Sequence, residues 1–186
     1  MTNEGWRLPG AQKDQQSITA DWQPAREDAI AGVIVYEIRN VLKDTGVLTE
    51  MYRRDWNLDS GTVAQVFQVV LDPGSVSAWH AHGETQDRLF ASQGRVKIVL
   101  FDAREGSPSR GVLSELRLGR ERPALVTIPP GVWHGVQNVG AGPAVIVNLV
   151  DREYQYEDPD HWRLPPDSPE IPYRFRGSGQ GPSGQG

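Results

Sequence analysis

Three histidines and one aspartate lie on stretches that read as β-strands, and their spacing requires two distant parts of the chain to meet. The first stretch runs Gly74, five residues, His80, one residue, His82, four residues, Asp87, six residues and Gly94. The second runs Pro129-Pro130-Gly131-Val132-Trp133-His134 and, three residues on, Asn138. Side chains alternate across a strand, so Val76, Ala78, His80 and His82 are expected on one face, with Trp79 on the other. By the same rule Val132, His134, Val136 and Asn138 share a face opposite Trp133. Histidines that keep company with small and apolar residues belong on an inner wall, not on a solvated surface.

The surrounding sequence agrees with an all-β architecture. Runs with β character cover Val33 to Ile38, Val47 to Arg53, Val63 to Leu71, Val76 to His82, Arg88 to Ala91 and Arg95 to Phe101. Further runs cover Val112 to Leu118, Leu125 to Ile128, Trp133 to Asn138 and Ala144 to Val150. Turn residues separate them at Asp44-Thr45-Gly46, Asp72-Pro73-Gly74, Gln93-Gly94, Pro129-Pro130-Gly131 and Gly140-Ala141-Gly142-Pro143. Short strands at regular spacing predict an antiparallel jelly roll, and no helical period stands out between them.

Length and composition set the outer bounds. A chain of 186 residues with 38% hydrophobic and 23% charged residues suits one soluble domain. Apolar stretches such as Ala144 to Val147 are too short to span a bilayer, and no amino-terminal signal peptide is expected. The absence of cysteine excludes disulfides and thiolate ligands and fits a cytoplasmic protein. A net charge of −5 without a basic run argues against nucleic acid and membrane partners. Positive charge is nearly all arginine, which suits local recognition of phosphate or carboxylate as well as ordinary surface pairing. Residues 1–30 read as an extended arm, tethered through Trp6 and Trp22 or lying across a partner subunit. Residues 31–176 form the barrel and a closing carboxyl-terminal segment. Residues 177–186 contain only Gly, Ser, Gln and Pro and read as a disordered tail.

Two chemistries are open to the inward-facing set. His80, His82, Asp87 and His134 together offer neutral nitrogens and an anionic oxygen, a donor set for a divalent transition metal in an isomerase or dioxygenase. Protein ligands on one side of such an ion leave positions for substrate or water. Glu84 is expected in a solvated turn. Arg88 alternates away from Asp87 and is expected in a surface ion pair, unless it reaches substrate.

The two segments match the signature motifs of the cupin barrels, with Asp87 where the usual pattern has Glu. The chain resembles the dTDP-4-dehydrorhamnose 3,5-epimerase branch of that superfamily from about Asp44 to Phe175. Its landmarks are Asp44-Thr45-Gly46-Val47-Leu48-Thr49-Glu50, Trp79-His80, Val96 to Asp102 with Ser107-Pro108, Ile128 to Gly135, and Asp158 to Tyr173. The resemblance implies a cupin-type double-stranded β-helix and a cofactor-free enzyme. Such an enzyme removes a proton beside the ketone of a dTDP-4-keto-6-deoxyhexose and works as a homodimer with shared strands and arms. It implies His80 as base with Asp167 as its partner, and substrate contacts from Glu50, Arg53, Arg88 and His134. A carbon acid needs such a base within reach and a donor for the enolate oxygen.

The chain departs from the family pattern at Thr45, Ser77 and Asp87, where cationic residues are usual. Val147 and Asn148 stand near the position of the tyrosine that serves as the acid on the opposite face, and neither can do that work. Arg53, Arg54 or Arg88 would have to replace the missing cations, or a bound metal ion would. A ligating His80 could not also be a free base, so those two uses of it compete. A sugar-binding cupin without catalysis is the third reading. Tyr154, Tyr156 and Trp162 are expected to pack a closing segment over the barrel mouth, with base stacking as the alternative. His161 is expected at the surface.

Overall fold

Turn chemistry and period-two patterning set out a chain made almost wholly of strands. A computed structural model describes residues 6–25, 28–59 and 61–175. Its strands are β1 Ile34–Glu37, β2 Val41–Lys43, β3 Gly46–Leu48, β4 Gln65–Leu71, β5 Val76–Ala81 and β6 Asp87–Gln93. They continue with β7 Arg95–Asp102, β8 Leu113–Gly119, β9 Ala124–Ile128, β10 Val132–Asn138, β11 Ala144–Val150 and β12 Trp162–Arg163. One short 3-10 turn, Arg54–Trp56, precedes β4. Among the described residues there is no α-helix, and no helix is long and apolar enough to cross a membrane.

Two five-stranded antiparallel sheets face each other, in the orders β1-β9-β6-β11-β4 and β12-β5-β10-β7-β8. Hairpin β2-β3 stands apart from both. The main core fills the space between the sheets with inward residues such as Leu89, Ile98, Leu100, Val126, Val136 and Ile146. Two smaller clusters cover outer faces. Tyr36, Tyr52, Trp56 and Leu58 pack on Phe90, Leu125 and Leu149, and the closing segment lays Ile171 and Phe175 over Trp79 and Val99. This is the expected jelly roll, with most strand ends shifted by one or two residues, the expected run Val47 to Arg53 a strand only as far as Leu48, and two short strands, β2 and β12, that carry no sequence signal of their own.

Alternation holds on β10 and fails at one place on β5. Val132 and Val136 join the inner core, as predicted, while Trp133 joins the outer cluster. On β5 the pairing with β10 slips, so that His80 faces His134 but Ser77 faces Val136. Three positions on β5 therefore match two on β10, which is a bulge. Ser77 thereby shares the side of His80, and Val76 and Ala78 pack in the outer cluster with Trp79. The expected inner face of Val76, Ala78, His80 and His82 is corrected to Ser77, His80 and His82. Gly135 is required at this crossing, because a Cβ there would lie 2.5 Å from that of Ala78.

Other expectations are also revised. Trp6 and Trp22 are exposed, so they do not anchor the amino-terminal arm on its own chain. Tyr154, Tyr156 and Trp162 are exposed as well, and the closing segment packs through Ile171 and Phe175 instead. The proposed tail at 177–186 lies outside the described residues. Arg88 is no surface residue: it is fully buried, with Nε and Nη2 donating to Asp59 at 2.8 and 2.6 Å and Nη1 to the Leu149 carbonyl.

Removing one partner of a buried ion pair leaves an uncompensated charge. Asp59→Ala is therefore expected to lower the unfolding free energy by about 3 kcal/mol in urea titrations. Asp59→Leu combined with Arg88→Met is expected to recover most of that loss.

Candidate active site

All four histidines of the chain lie in one cluster at one end of the barrel interior. β5 contributes His80 and, one residue past its end, His82. β6 opens with Asp87, and β10 contributes His134. The fourth, His161, comes from the closing segment immediately before β12. Strand β12 pairs with β5 so that Arg163 lies opposite His80, and this register carries His161 over the site.

Asp87 is the hub. Its Oδ2 lies 3.2 Å from Nε2 of both His82 and His134, and its Oδ1 accepts from the Asn148 amide at 2.8 Å. The side-chain Oδ1 of Asn148 in turn accepts from the Arg88 backbone N–H. Burial pushes the Asp87 carboxyl up, but the His82 hydrogen bond and the two imidazoles outweigh this and hold it at about 2. Burial likewise pushes His82 down, and Asp87 with the Asp160 carbonyl more than reverses it, so His82 is raised. His134, buried with less compensation, is lowered.

His80 stands outside that hub. Its Nε2 is 3.0 Å from Ser77 Oγ and its Nδ1 is 2.8 Å from His161 Nε2. Burial, followed by the neighbouring imidazoles and Arg163, depresses His80 to about 3, and similar causes depress His161 to about 4. Both rings are neutral near pH 7, and His80 is available to accept a proton. Among the described residues, the side-chain atoms that can converge on an ion come from His82, Asp87 and His134, all within 4.8 Å of one another. The expected four-residue set is thereby reduced to three, and His80 is released from it.

Asp160 holds the closing segment in place. Its carboxylate accepts from the backbone N–H groups of Gly83, Glu84 and Thr85 and from the Thr85 hydroxyl, at 2.6 to 2.9 Å. Its own carbonyl receives His82 Nδ1. One residue thus ties the loop after β5 to the segment bearing His161. On the other side of that loop, the His82 carbonyl accepts from the N–H of Gly131, whose φ of 81° suits glycine in the Pro-Pro-Gly turn.

The other expected contacts fall elsewhere. Asp167 is exposed, and both nitrogens of His80 are engaged by Ser77 and His161, so the expected His80–Asp167 pair is not formed. Glu50 and Arg53 are exposed and bonded to each other, with Arg53 also holding Asp55. A surface groove beside them is lined by Arg53, Arg54, Asp55 and Asn57, with none of the histidines. Arg88 points to the opposite side of its sheet from Asp87. Asn138 faces inward as expected but serves structure, donating to the Leu71 and Gly142 carbonyls and accepting from Gly140. Sequence reasoning missed His161, Asp160 and Asn148. The chain's fourth and last histidine was the one available hint.

A family model described as dTDP-4-dehydrorhamnose 3,5-epimerase matches residues 27–178. The chain belongs to that family. It is 35% identical over 123 residues to the probable low-salt glycan biosynthesis epimerase Agl13 of Haloferax volcanii, covering 66% of this chain and 79% of that protein. It is 32% identical over 146 residues to the spore coat polysaccharide biosynthesis protein SpsL of Bacillus subtilis, covering 78% and 96%. A crystal structure of a dTDP sugar isomerase from Desulfovibrio desulfuricans G20 superposes with a TM-score of 0.74 at 30% identity, covering 80% of this chain and 94% of that one. The epimerase family's barrel is thus present, and the function is of the nucleotide-sugar 3,5-epimerase type.

Hydrogen bonds to a charged acceptor contribute about 1.5–3 kcal/mol each, with neighbours in one network not additive. Asp160→Ala is expected to destabilise the protein by at least ~2 kcal/mol. Amide hydrogen exchange at Gly83, Glu84 and Thr85 is expected to accelerate, while exchange in the β7-β8 hairpin stays at the wild-type rate.

Proposed function

We propose that the protein removes a proton from the carbon beside the ketone of a dTDP-4-keto-6-deoxyhexose, with His80 as the base. The observation that carries this reading is a neutral, half-buried imidazole at the open end of an epimerase-family barrel, held at both nitrogens. With its Nδ1 proton donated to His161, His80 presents the Nε2 lone pair toward Ser77 Oγ, where a substrate C–H can replace the hydroxyl. The proton moves to Nε2, the C–H electron pair moves onto the ketone oxygen as an enolate, and reprotonation of carbon completes the exchange. His161 takes the orienting part that the family resemblance suggested for Asp167. A neutral partner stabilises the imidazolium less than a carboxylate does, so the base is weaker but is neutral over a wider pH range.

Substrate also needs walls and an anchor. Phe67 and Val69 pair with Asn148 and Ile146 on β11, share their inward side, and remain exposed, which supplies an apolar wall beside Asp87. His134 offers a polar contact on the opposite sheet. Glu50 and Arg53 lie on a different surface, so their use as substrate contacts calls for a second copy of the chain. A homodimer is supported by edge strand β4, on which Val66 and Val70 are 56% and 57% exposed, and by hairpin β2-β3 with Leu42 and Leu48 exposed. Long apolar edge strands are seldom left uncovered. A cytoplasmic setting accords with a nucleotide-sugar substrate and a chain without cysteine.

In deuterium oxide with a dTDP-4-keto-6-deoxyhexose, the wild type is expected to introduce solvent deuterium beside the ketone. His80→Asn is expected to lower that rate by about 100-fold or more, His161→Gln to a smaller extent, and Asp167→Asn to leave it within a few-fold. The acid limb set by His80 in kcat/KM is expected far below pH 6.5, since the ring stays neutral until about 3. Exchange that persists in His80→Asn overturns the assignment. Light scattering is expected to give twice the 20.6 kDa chain mass for the wild type and a shift toward monomer for Val70→Lys.

A further inference from the structure

Strand β12 carries one more side chain to the site. In the antiparallel pair that it forms with β5, Trp79 and Leu164 exchange backbone hydrogen bonds and pack together in the outer cluster. Arg163, one residue earlier, therefore points to the other side of the sheet, and its register partner is His80. Residues directly opposed in such a pair share a face, with Cβ atoms about 4.5–5.5 Å apart. The charge is felt there: behind burial, it adds to the depression of both His80 and His161. A cation thus stands beside the proposed base.

That cation is uncommitted. Arg163 is exposed, and among the described residues it forms no ion pair and no side-chain hydrogen bond. Asp160, the nearest acid along the chain, turns its carboxylate to the backbone of Gly83, Glu84 and Thr85 instead. Because β12 is the edge of its sheet, no further strand covers the guanidinium. The arginines singled out from sequence are not placed to do the same. Arg88 is sealed against Asp59, Arg53 is held by Glu50 and Asp55, and Arg54 lines a groove that contains none of the histidines.

We propose that Arg163 binds the diphosphate of the nucleotide-sugar substrate and so sets the sugar against His80. The identity of that substrate rests on the proposed proton-abstraction reading, whereas the position of the cation does not. A chain with a net charge of −5 repels an anionic substrate unless a cation stands locally at the site. A guanidinium with free donors matches phosphate oxygens in bidentate fashion, which fixes orientation as well as affinity. A group that holds enolate charge works best where water is excluded. An exposed guanidinium on an edge strand suits the end of the substrate that remains at the mouth. No bond is made or broken at Arg163.

The test separates the contact from the reaction. dTDP is titrated by calorimetry into the wild type, Arg163→Gln and Arg163→Lys, and deuterium exchange into a dTDP-4-keto-6-deoxyhexose gives KM and kcat for each. Arg163→Gln is expected to weaken dTDP binding and to raise KM by about 10- to 100-fold, the loss of one charge-assisted contact, with kcat within a few-fold. Arg163→Lys, which keeps the charge without the fork, is expected to lie between. Wild-type affinity for dTDP is expected to fall more steeply with added salt than that of Arg163→Gln. Amide exchange at Gly83, Glu84 and Thr85 is expected to match the wild type in both variants. Weakened binding accompanied by faster exchange there assigns Arg163 to structure and overturns the proposal. So do a wild type that fails to bind dTDP, equal dTDP binding in Arg163→Gln, and a loss confined to kcat. Exchange that depends on His80 while dTDP binding is indifferent to Arg163 removes the phosphate contact and leaves the epimerase reading standing. Arg163-dependent dTDP binding without any deuterium exchange does the reverse.

Discussion

A buried carboxylate must be compensated, and the open end of this barrel is arranged around the compensation of Asp87. The side chain is 2% exposed, and its two oxygens are met by His82, His134 and Asn148. Those partners come from the end of β5, from β10 and from β11, so a single charge fixes the relative placement of both sheets at this end. On the far face of β6, Arg88 is compensated just as fully by Asp59. Consecutive residues of one strand thus carry opposite charges into opposite environments, and each locks a different segment onto the sheet.

The closing segment works as a strap with two fastenings. Asp160 collects the N–H groups of the loop after β5, while Trp79 and Leu164 exchange backbone hydrogen bonds farther along. Between these points the chain can do little except present His161 to His80. The strap thereby sets the His161 imidazole, in place of a carboxylate, against Nδ1 of His80. This also explains how Asp167 can lie exposed without cost to the imidazole's orientation.

Much of this was legible in the residues. Alternation on Val132 to Asn138 placed His134 inside, and the Pro129-Pro130-Gly131 turn marked where β10 begins. Spacing from His80 to Asp87 allowed β5 and β6 to bring their residues to one end. What went unread had no local signature. The β5 bulge arises from register against β10, so it cannot be seen in the period of β5 alone. Burial of Arg88 needs Asp59, an acid whose neighbours carry no strand pattern. His161 sits among Asp, Pro and Trp residues that read as surface, and only the pairing of β12 with β5 brings it inward.

By itself the sequence determined the faces of regular strands such as β10, the turns, the nitrogen and oxygen chemistry of the interior, and the presence of a shared histidine site. Those follow from short-range rules, since a side chain's direction depends on its neighbours along the strand. Which histidines join Asp87, and which two pair with each other instead, was decided only by tertiary structure. That choice depends on angles and on partners drawn from separate strands and from the closing segment.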